Sequence, residues 1–335
     1  MGYGLCKQGG DLCNGHCGYG YSWVGIWKSS NLATNGTWEM VTAESRQPRW
    51  PEAVYFRPHV VYQKKSDTYV MWINVDGSPE CPSQKCNSCA CYFVGTSKGS
   101  PEGPFTYRGA STARYVGPGD FDILAEGDDA YIIYTATQQG HVMSVEKLTD
   151  DWLRTASPVT PGGATPPPDP SPNNISSGVI GNAFVEVPAI FKRKGLYYAM
   201  FGECCCFCSF GSGAVVYTAL HPLGPWSTHY NIGCQTQPKL GCGCGMAGGS
   251  PPNLTCPNLQ GKSISKAQQN FVIPIHTPTG QEFLWTGDMW QSAADGEKGH
   301  DLQYTSLLSW QKDPVSGIEL PQQMLWQDEI TVDVL

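Results

Sequence analysis

Two carboxylates and an amide stand at matching places along this chain, and their types define a chemistry. Asp120, Glu186 and Gln268 each open an apolar stretch that soon runs into an aromatic one, and Phe56-Arg57 opens a fourth. If these openings share one pocket, one carboxylic acid can protonate a leaving oxygen. An opposing group then handles water or a nucleophile, as cleavage of a glycosidic bond requires. A polar residue at a strand end is more often just solvated. It is the recurrence that singles out the set.

The elements that must position these residues repeat. Arg57–Tyr62 leads to Tyr69–Trp72, Asp120–Leu124 to Tyr131–Tyr134, Glu186–Phe191 to Tyr197–Met200, and Gln268–Ile273 to Glu282–Trp285. Each reads as an apolar strand, a turn and an aromatic strand, and the copies begin roughly 63 to 82 residues apart. That period is too long for a helical repeat and suits one four-stranded sheet per unit. Between them recurs an outer element, at Gly25–Leu32, Gly95–Ser97, Met143–Leu148, Tyr217–Leu220 and Tyr304–Leu307. Five outer units against four inner ones predict an all-β, five-bladed β-propeller whose first blade is truncated at the N-terminus. Inner strands of a propeller converge on a central channel, so their openings face one pocket. A β-sandwich is the rival, but its turns come about every 8–12 residues without the longer period.

Composition bounds the rest. One series of repeats across 335 residues predicts a single domain, 1–335, with one Pro-rich loop at 157–178. Charged residues are only 15% of the chain and the net charge is -8, so no basic stripe invites nucleic acid. No run of 18 apolar residues predicts a membrane span, and a monomer is expected. The 15 cysteines favour disulfides in an oxidising compartment. Cys86-x-x-Cys89 and Cys242-x-Cys244 are only partly zinc-like, and no second pair completes a site. Sequons at Asn35, Asn174 and Asn253 point the same way, toward a secreted glycoprotein. No signal peptide is visible at Met1–Cys6, so one is expected upstream.

Several segments together resemble glycoside hydrolase family 43, in its exo-β-1,3-galactanase branch. They are Val185–Arg193 with its Glu-x-Pro-Ala core, Arg57–Tyr62, Gly119-Asp120-Phe121, Ala267–Val272 and Thr286–Trp290. The resemblance implies a five-bladed propeller and an exo-acting, inverting glycosidase on β-linked galactan or a related plant or algal glycan. It implies Glu186 as general acid, kept protonated by partial desolvation, with Asp120 as the carboxylate that tunes and orients it. Gln268 falls where this branch has a glutamine in place of the usual base; an amide is a poor base, and it can also position water by hydrogen bonding.

The chain departs from that branch at Phe56, where the branch has a sugar-binding Glu. Phe can stack on a sugar face but cannot accept a hydroxyl, which touches sugar choice more than reaction class. Glu52, on the preceding loop, is a candidate substitute. Arg57, Trp72, Asp288 and Trp290 complete the expected substrate-binding set, with Trp285 near the same rim. Asp288 is alternatively a structural residue. No cofactor is implied, and a structural calcium ion is compatible with the sequence but not required by it. Two other classes compete with a hydrolase: a catalytically impaired propeller that binds carbohydrate, and a cysteine-rich scaffold. The joint presence of Glu186 and Asp120 argues against the last.

Overall fold

The computed structural model describes residues 24–31, 38–41, 50–51, 53–76, 78–81, 90–115, 117–157, 175–181, 185–203, 212–233, 267–296 and 300–334. They form nineteen strands and no α-helix. A ribbon of β1 (Trp27–Lys28) and β2 (Glu39–Met40) comes first. A four-stranded antiparallel sheet follows, β3 (Val54–Gln63), β4 (Thr68–Asp76), β5 (Cys91–Lys98) and β6 (Thr106–Ser111), in sequence order. The second is β7 (Pro118–Glu126), β8 (Asp129–Ala136), β9 (Val142–Lys147) and β10 (Ser176–Ile180). The third is β11 (Val185–Arg193), β12 (Leu196–Glu203), β13 (Val215–Ala219) and β14 (Ser227–Asn231). The fourth has three strands, β15 (Gln268–Thr277), β16 (Gly280–Met289) and β17 (Leu302–Leu307). A ribbon of β18 (Trp310–Lys312) and β19 (Glu319–Pro321) ends the series.

All four expected inner hairpins are present, and the four outer elements that follow them pair on the aromatic strands of those hairpins. The chain is therefore all-β, with four blade-type sheets among the described residues. The fifth expected unit is represented there by the β1–β2 ribbon. The Pro-rich loop is shorter than 157–178 at its far end. Ser176, Ser177 and Gly178 already belong to β10, because beyond Pro172 every residue has an N–H to give to a ladder. Glu52, the three sequon asparagines and thirteen of the cysteines lie outside the described residues. The remaining two, Cys81 and Cys91, are bonded to each other.

The strands alternate because they pack on both faces. In β8 and β13 nearly every residue is buried, and β-branched or aromatic side chains fill both sides. The β11–β12 hairpin closes through Lys194-Gly195, both at positive φ (48° and 84°), the backbone of a two-residue turn whose twist matches the strands. One feature recurs in every inner strand. The ladder shifts by one residue between Phe56 and His59, Pro118 and Phe121, Glu186 and Ala189, and Gln269 and Val272. Each inner strand thus carries a two-against-one bulge near its start, holding Arg57-Pro58, Gly119-Asp120, Val187-Pro188 and Asn270-Phe271. Bulges bend a strand and re-aim its side chains. Arg57 and Val187 adopt φ of 49° and 57° there, conformations that β-branched Val187 above all takes only under constraint.

The described residues group into two compact units, 24–180 and 181–334. In the first, Trp72, Tyr92, Phe121, Tyr134 and Trp152 are fully buried in one cluster. Trp72 donates from its indole to the Trp152 carbonyl at 2.9 Å, tying the first sheet to the segment between β9 and β10 of the second. In the second unit, Phe191, Tyr198, Phe283, Trp285 and Trp310 do the same work; Phe191 stacks on Tyr198 at 5.3 Å. Tyr198 and Tyr230 donate to the Glu319 and Pro321 carbonyls at 2.5 and 2.8 Å, so the last ribbon is stitched to the third sheet. Deleting any of these large aromatics would cost about 3–5 kcal/mol.

Candidate active site

In the second unit the bulge after Glu186 and the opening of β15 come together. Gly213, just ahead of β13, bridges Gln268 in parallel and so joins the two sheets. Ser212 takes the Gln269 N–H at 2.9 Å, and Ser212 N–H reaches the Ala267 carbonyl at 3.3 Å. Gly202, opposite Glu186 in the ladder, makes this approach feasible: a Cβ there would lie 2.2 Å from Ser212 Oγ.

On that seam Glu186 is 9% exposed and Gln268 3%. The Gln268 amide nitrogen donates to Glu186 Oε2 at 3.4 Å, and its oxygen accepts the Trp290 indole N–H at 2.6 Å. The amide orientation follows from chemistry, since an indole N–H only donates and must meet the oxygen. Asp288 sits opposite Gln268 in the β15–β16 ladder. Its carboxylate accepts from Asn270 Nδ2 at 3.1 and 3.0 Å and from Gln303 Nε2 at 3.2 Å. Gln269 is buried beneath, accepting the Trp285 indole N–H.

In the first unit Arg57 and Asp120 come together from their two bulges. Arg57 is 8% exposed; its Nε lies 3.8 Å from Asp120 Oδ1 and donates to the Phe121 carbonyl at 3.3 Å. Asn74 donates to the Pro118 carbonyl at 3.0 Å and the Tyr92 hydroxyl to the Gly119 carbonyl at 3.0 Å, so the residue before the bulge and the first residue within it are held from β4 and β5. Burial, and then the charges of Asp120 and Glu146, push the Tyr92 hydroxyl well up, keeping it a neutral donor. A deeper pair, His59 Nδ1 and Asp122 Oδ1 at 2.8 Å, links the same two strands beyond the bulge. Phe56 is half-buried opposite Asn74.

The ladders correct two expectations. Asp120, Glu186 and Gln268 do not occupy equivalent places. Counted from the bulge, Glu186 matches Phe56, Pro118 and Gln269, while Asp120 matches Pro58 inside the bulge and Gln268 lies one step earlier. The extra residue breaks strict alternation, so polar strand openings that look aligned in sequence are offset by one or two in register. Trp72 is wholly buried and spends its N–H on a backbone carbonyl, so in this structure it offers no face to a sugar; Trp285 is equally buried. Trp290 stays half-buried, and Asp288 is partly exposed as well as amide-bound. Gln269, Asn270, Ser212, Asn74 and Tyr92 support the site unforeseen. Only the polar run Gln268-Gln269-Asn270 in an apolar strand signalled any of them.

Among the described residues, no group of three or more His, Cys, Asp or Glu side chains gathers as a metal site, and no helix is long and apolar enough to cross a membrane.

Sheets of this kind, with polar residues gathered at bulged inner strands, define a fold shared with glycoside hydrolases. A variant of the exo-β-1,3-galactanase from Phanerochaete chrysosporium, holding β-1,3-galactotriose, aligns over 94% of this chain and 61% of its own, at 19% identity and a TM-score of 0.57. The exo-β-1,3-galactanase from Clostridium thermocellum aligns over 86% of this chain and 56% of its own, at 18% identity and 0.55. A Bifidobacterium bifidum protein solved as a candidate exo-β-1,3-galactanase covers 97% and 91%, at 19% and 0.58. The chain thus has the fold of family 43 enzymes of the galactanase kind, and spans about three-fifths of the length of the Phanerochaete structure. No family model and no curated protein matches the sequence.

Proposed function

We propose that this chain is a glycoside hydrolase acting on β-linked galactan or a related glycan, exo-acting and inverting, with Glu186 as general acid. The observation that carries the reading is the buried row of Glu186, Gln268 and Trp290 at a bulged inner strand, in a fold shared with exo-β-1,3-galactanases. A carboxyl group so enclosed, with an amide donor on one oxygen, is built to hand a proton to a leaving oxygen. Asp120 is the supporting carboxylate in this reading, held by Arg57 in its own unit. Asp288 and Trp290 are the sugar-contacting residues, and Phe56 offers an aromatic face. Acid and water suffice for the chemistry, so no cofactor enters. The disulfide Cys81–Cys91 favours a secreted enzyme.

A second reading rests on Phe56. It fills the register position that Glu186 fills in β11, and a phenyl ring there accepts no sugar hydroxyl, as a glycan-binding chain without turnover would tolerate. One experiment separates the two. Product release from β-1,3-galactan and a panel of aryl glycosides is measured for the full chain and for Glu186→Gln. Turnover on one substrate that Glu186→Gln abolishes, with folding intact, supports the hydrolase. Saturable oligosaccharide binding with no turnover on any substrate overturns it in favour of the binding chain.

A further inference from the structure

Resting on that hydrolase reading, we infer that Trp290 is a positioning residue that orients Gln268 toward Glu186, and that Asp301 fixes Trp290 for this task. The argument begins with the connection between β16 and β17. Trp290 is its first residue and Asp301 its last. The Asp301 carboxylate accepts three consecutive backbone N–H groups directly after Trp290: Gln291 at 3.1 Å, Ser292 at 2.9 Å and Ala293 at 3.0 Å. Ser292 Oγ in turn takes the Leu302 N–H at 2.7 Å. Gln291 is held at φ of 60°, a conformation that a side chain other than glycine keeps only when its surroundings demand it. The Trp290 N–H itself bonds the Asp288 carbonyl at 3.1 Å. The root of the indole is thus clamped on both sides.

What the clamped indole does follows from its single donor. With Gln268 Oε1 bound to Trp290 Nε1, the amide cannot turn over without losing that bond and facing one N–H with another. Its NH₂ is therefore committed to Glu186 Oε2. Gln268 thus braces the acid through Oε2 and holds the Glu186 carboxyl group in one orientation. In the reaction the proton of the Glu186 carboxyl group moves to the glycosidic oxygen as the carbon–oxygen bond breaks and its electron pair stays with that oxygen. Water adds its hydroxyl to the anomeric carbon, and the proton it releases passes to solvent, from which Glu186 is reprotonated. Gln268 here serves the acid rather than the water, and the carbonyl that a base surrogate would use is already bound to an indole.

The two roles predict different dependence on the leaving group. Galactobiose has a poor leaving group and needs the acid; 2,4-dinitrophenyl β-galactoside has a good one and does not. For the full chain, Trp290→Phe keeps the ring but loses the N–H, and Asp301→Asn weakens the clamp without touching the row. Both are expected to lower kcat on β-1,3-galactobiose, roughly tenfold for Trp290→Phe, with KM little changed. Turnover of the dinitrophenyl glycoside stays within about twofold of the unaltered chain for Asp301→Asn, and for Trp290→Phe it falls less than turnover of galactobiose. Glu186→Gln, measured alongside, should show the same selectivity in stronger form. An equal loss on both substrates would assign Gln268 to the water and overturn the inference. A raised KM at unchanged kcat would make Trp290 a stacking platform only, and overturn it too. Turnover by the unaltered chain with Asp301→Asn indistinguishable from it removes Asp301 from the device. No turnover by the unaltered chain on either substrate overturns the hydrolase reading itself, and the positioning role with it.

Discussion

Glu146→Gln should make the fold less sensitive to pH, and the size of the effect can be worked from its surroundings. Glu146 lies on β9, wholly buried, with one oxygen accepting the Tyr134 hydroxyl and the Arg114 backbone N–H, the latter at 2.8 Å. Burial raises its pKa from 4.5 to about 7, against the opposing pull of Tyr134, Arg114 N–H, Ser157 and the Arg114 charge. A carboxyl group with a raised folded pKa binds its proton more tightly in the folded state than in the unfolded one. Its contribution is therefore fully present below about pH 4.5 and is lost as pH rises toward 7, above which it stays constant. A separation of about 2.5 units corresponds to about 3 kcal/mol between those limits. Glutamine keeps the acceptor oxygen and has no proton to lose. Relative to the unaltered chain, Glu146→Gln should then gain about 3 kcal/mol on going from pH 4.5 to pH 8. Urea unfolding followed by tryptophan fluorescence at both pH values gives the double difference. A relative stability that stays within about 0.5 kcal/mol between the two would refute the reasoning, because the burial cost must then be relieved in a way the structure does not contain.

Three further substitutions test the scaffold. Gly202→Ala places a methyl group 2.2 Å from Ser212 Oγ and 2.6 Å from its Cβ, so it should cost about 1–3 kcal/mol and loosen the seam that carries Glu186 and Gln268. A drop in unfolding temperature with a parallel drop in turnover checks it. Trp72→Phe should lower stability by about 1–3 kcal/mol through its lost Trp152 hydrogen bond and leave oligosaccharide affinity unchanged; weaker binding without destabilisation would restore the rim role expected from sequence. Replacing both Cys81 and Cys91 by serine opens a bridge across 10 residues and should cost about 2–3 kcal/mol, read as a urea midpoint lower than that of the unaltered chain with both kept in oxidising conditions.

The hairpins were legible because strands of this kind declare themselves by period and by composition. Tyr69–Trp72 and Tyr131–Tyr134 could be nothing but buried strands, and each lies where the repeat placed it. The bulges were not legible. One extra residue has no compositional mark, and only the prolines after Arg57 and Val187, which lack a ladder N–H, hinted at a break. That omission misaligned Asp120 and Gln268 with Glu186. The tryptophans failed for another reason: an indole suits a sugar face and a protein core equally, and only tertiary packing decides between Trp72 in the core and Trp290 beside Gln268. Glu146 went unnoticed because a single charge in a strand normally faces water, whereas β9 is covered on both sides.

The bulge in each inner strand has a consequence for how such a fold diversifies. A ladder that resumes in step beyond Ala189 or Val272 does so whatever side chain precedes the break. The slot just before it holds Phe56, Pro118, Glu186 and Gln269 in the four sheets, an apolar ring, an imino acid, an acid and an amide, with the same pairing beyond. Chemistry is therefore written in a margin that folding does not read. Substitutions there can trade one side-chain chemistry for another at little expense in foldability, and a repeated sheet becomes a frame in which each copy drifts toward its own task.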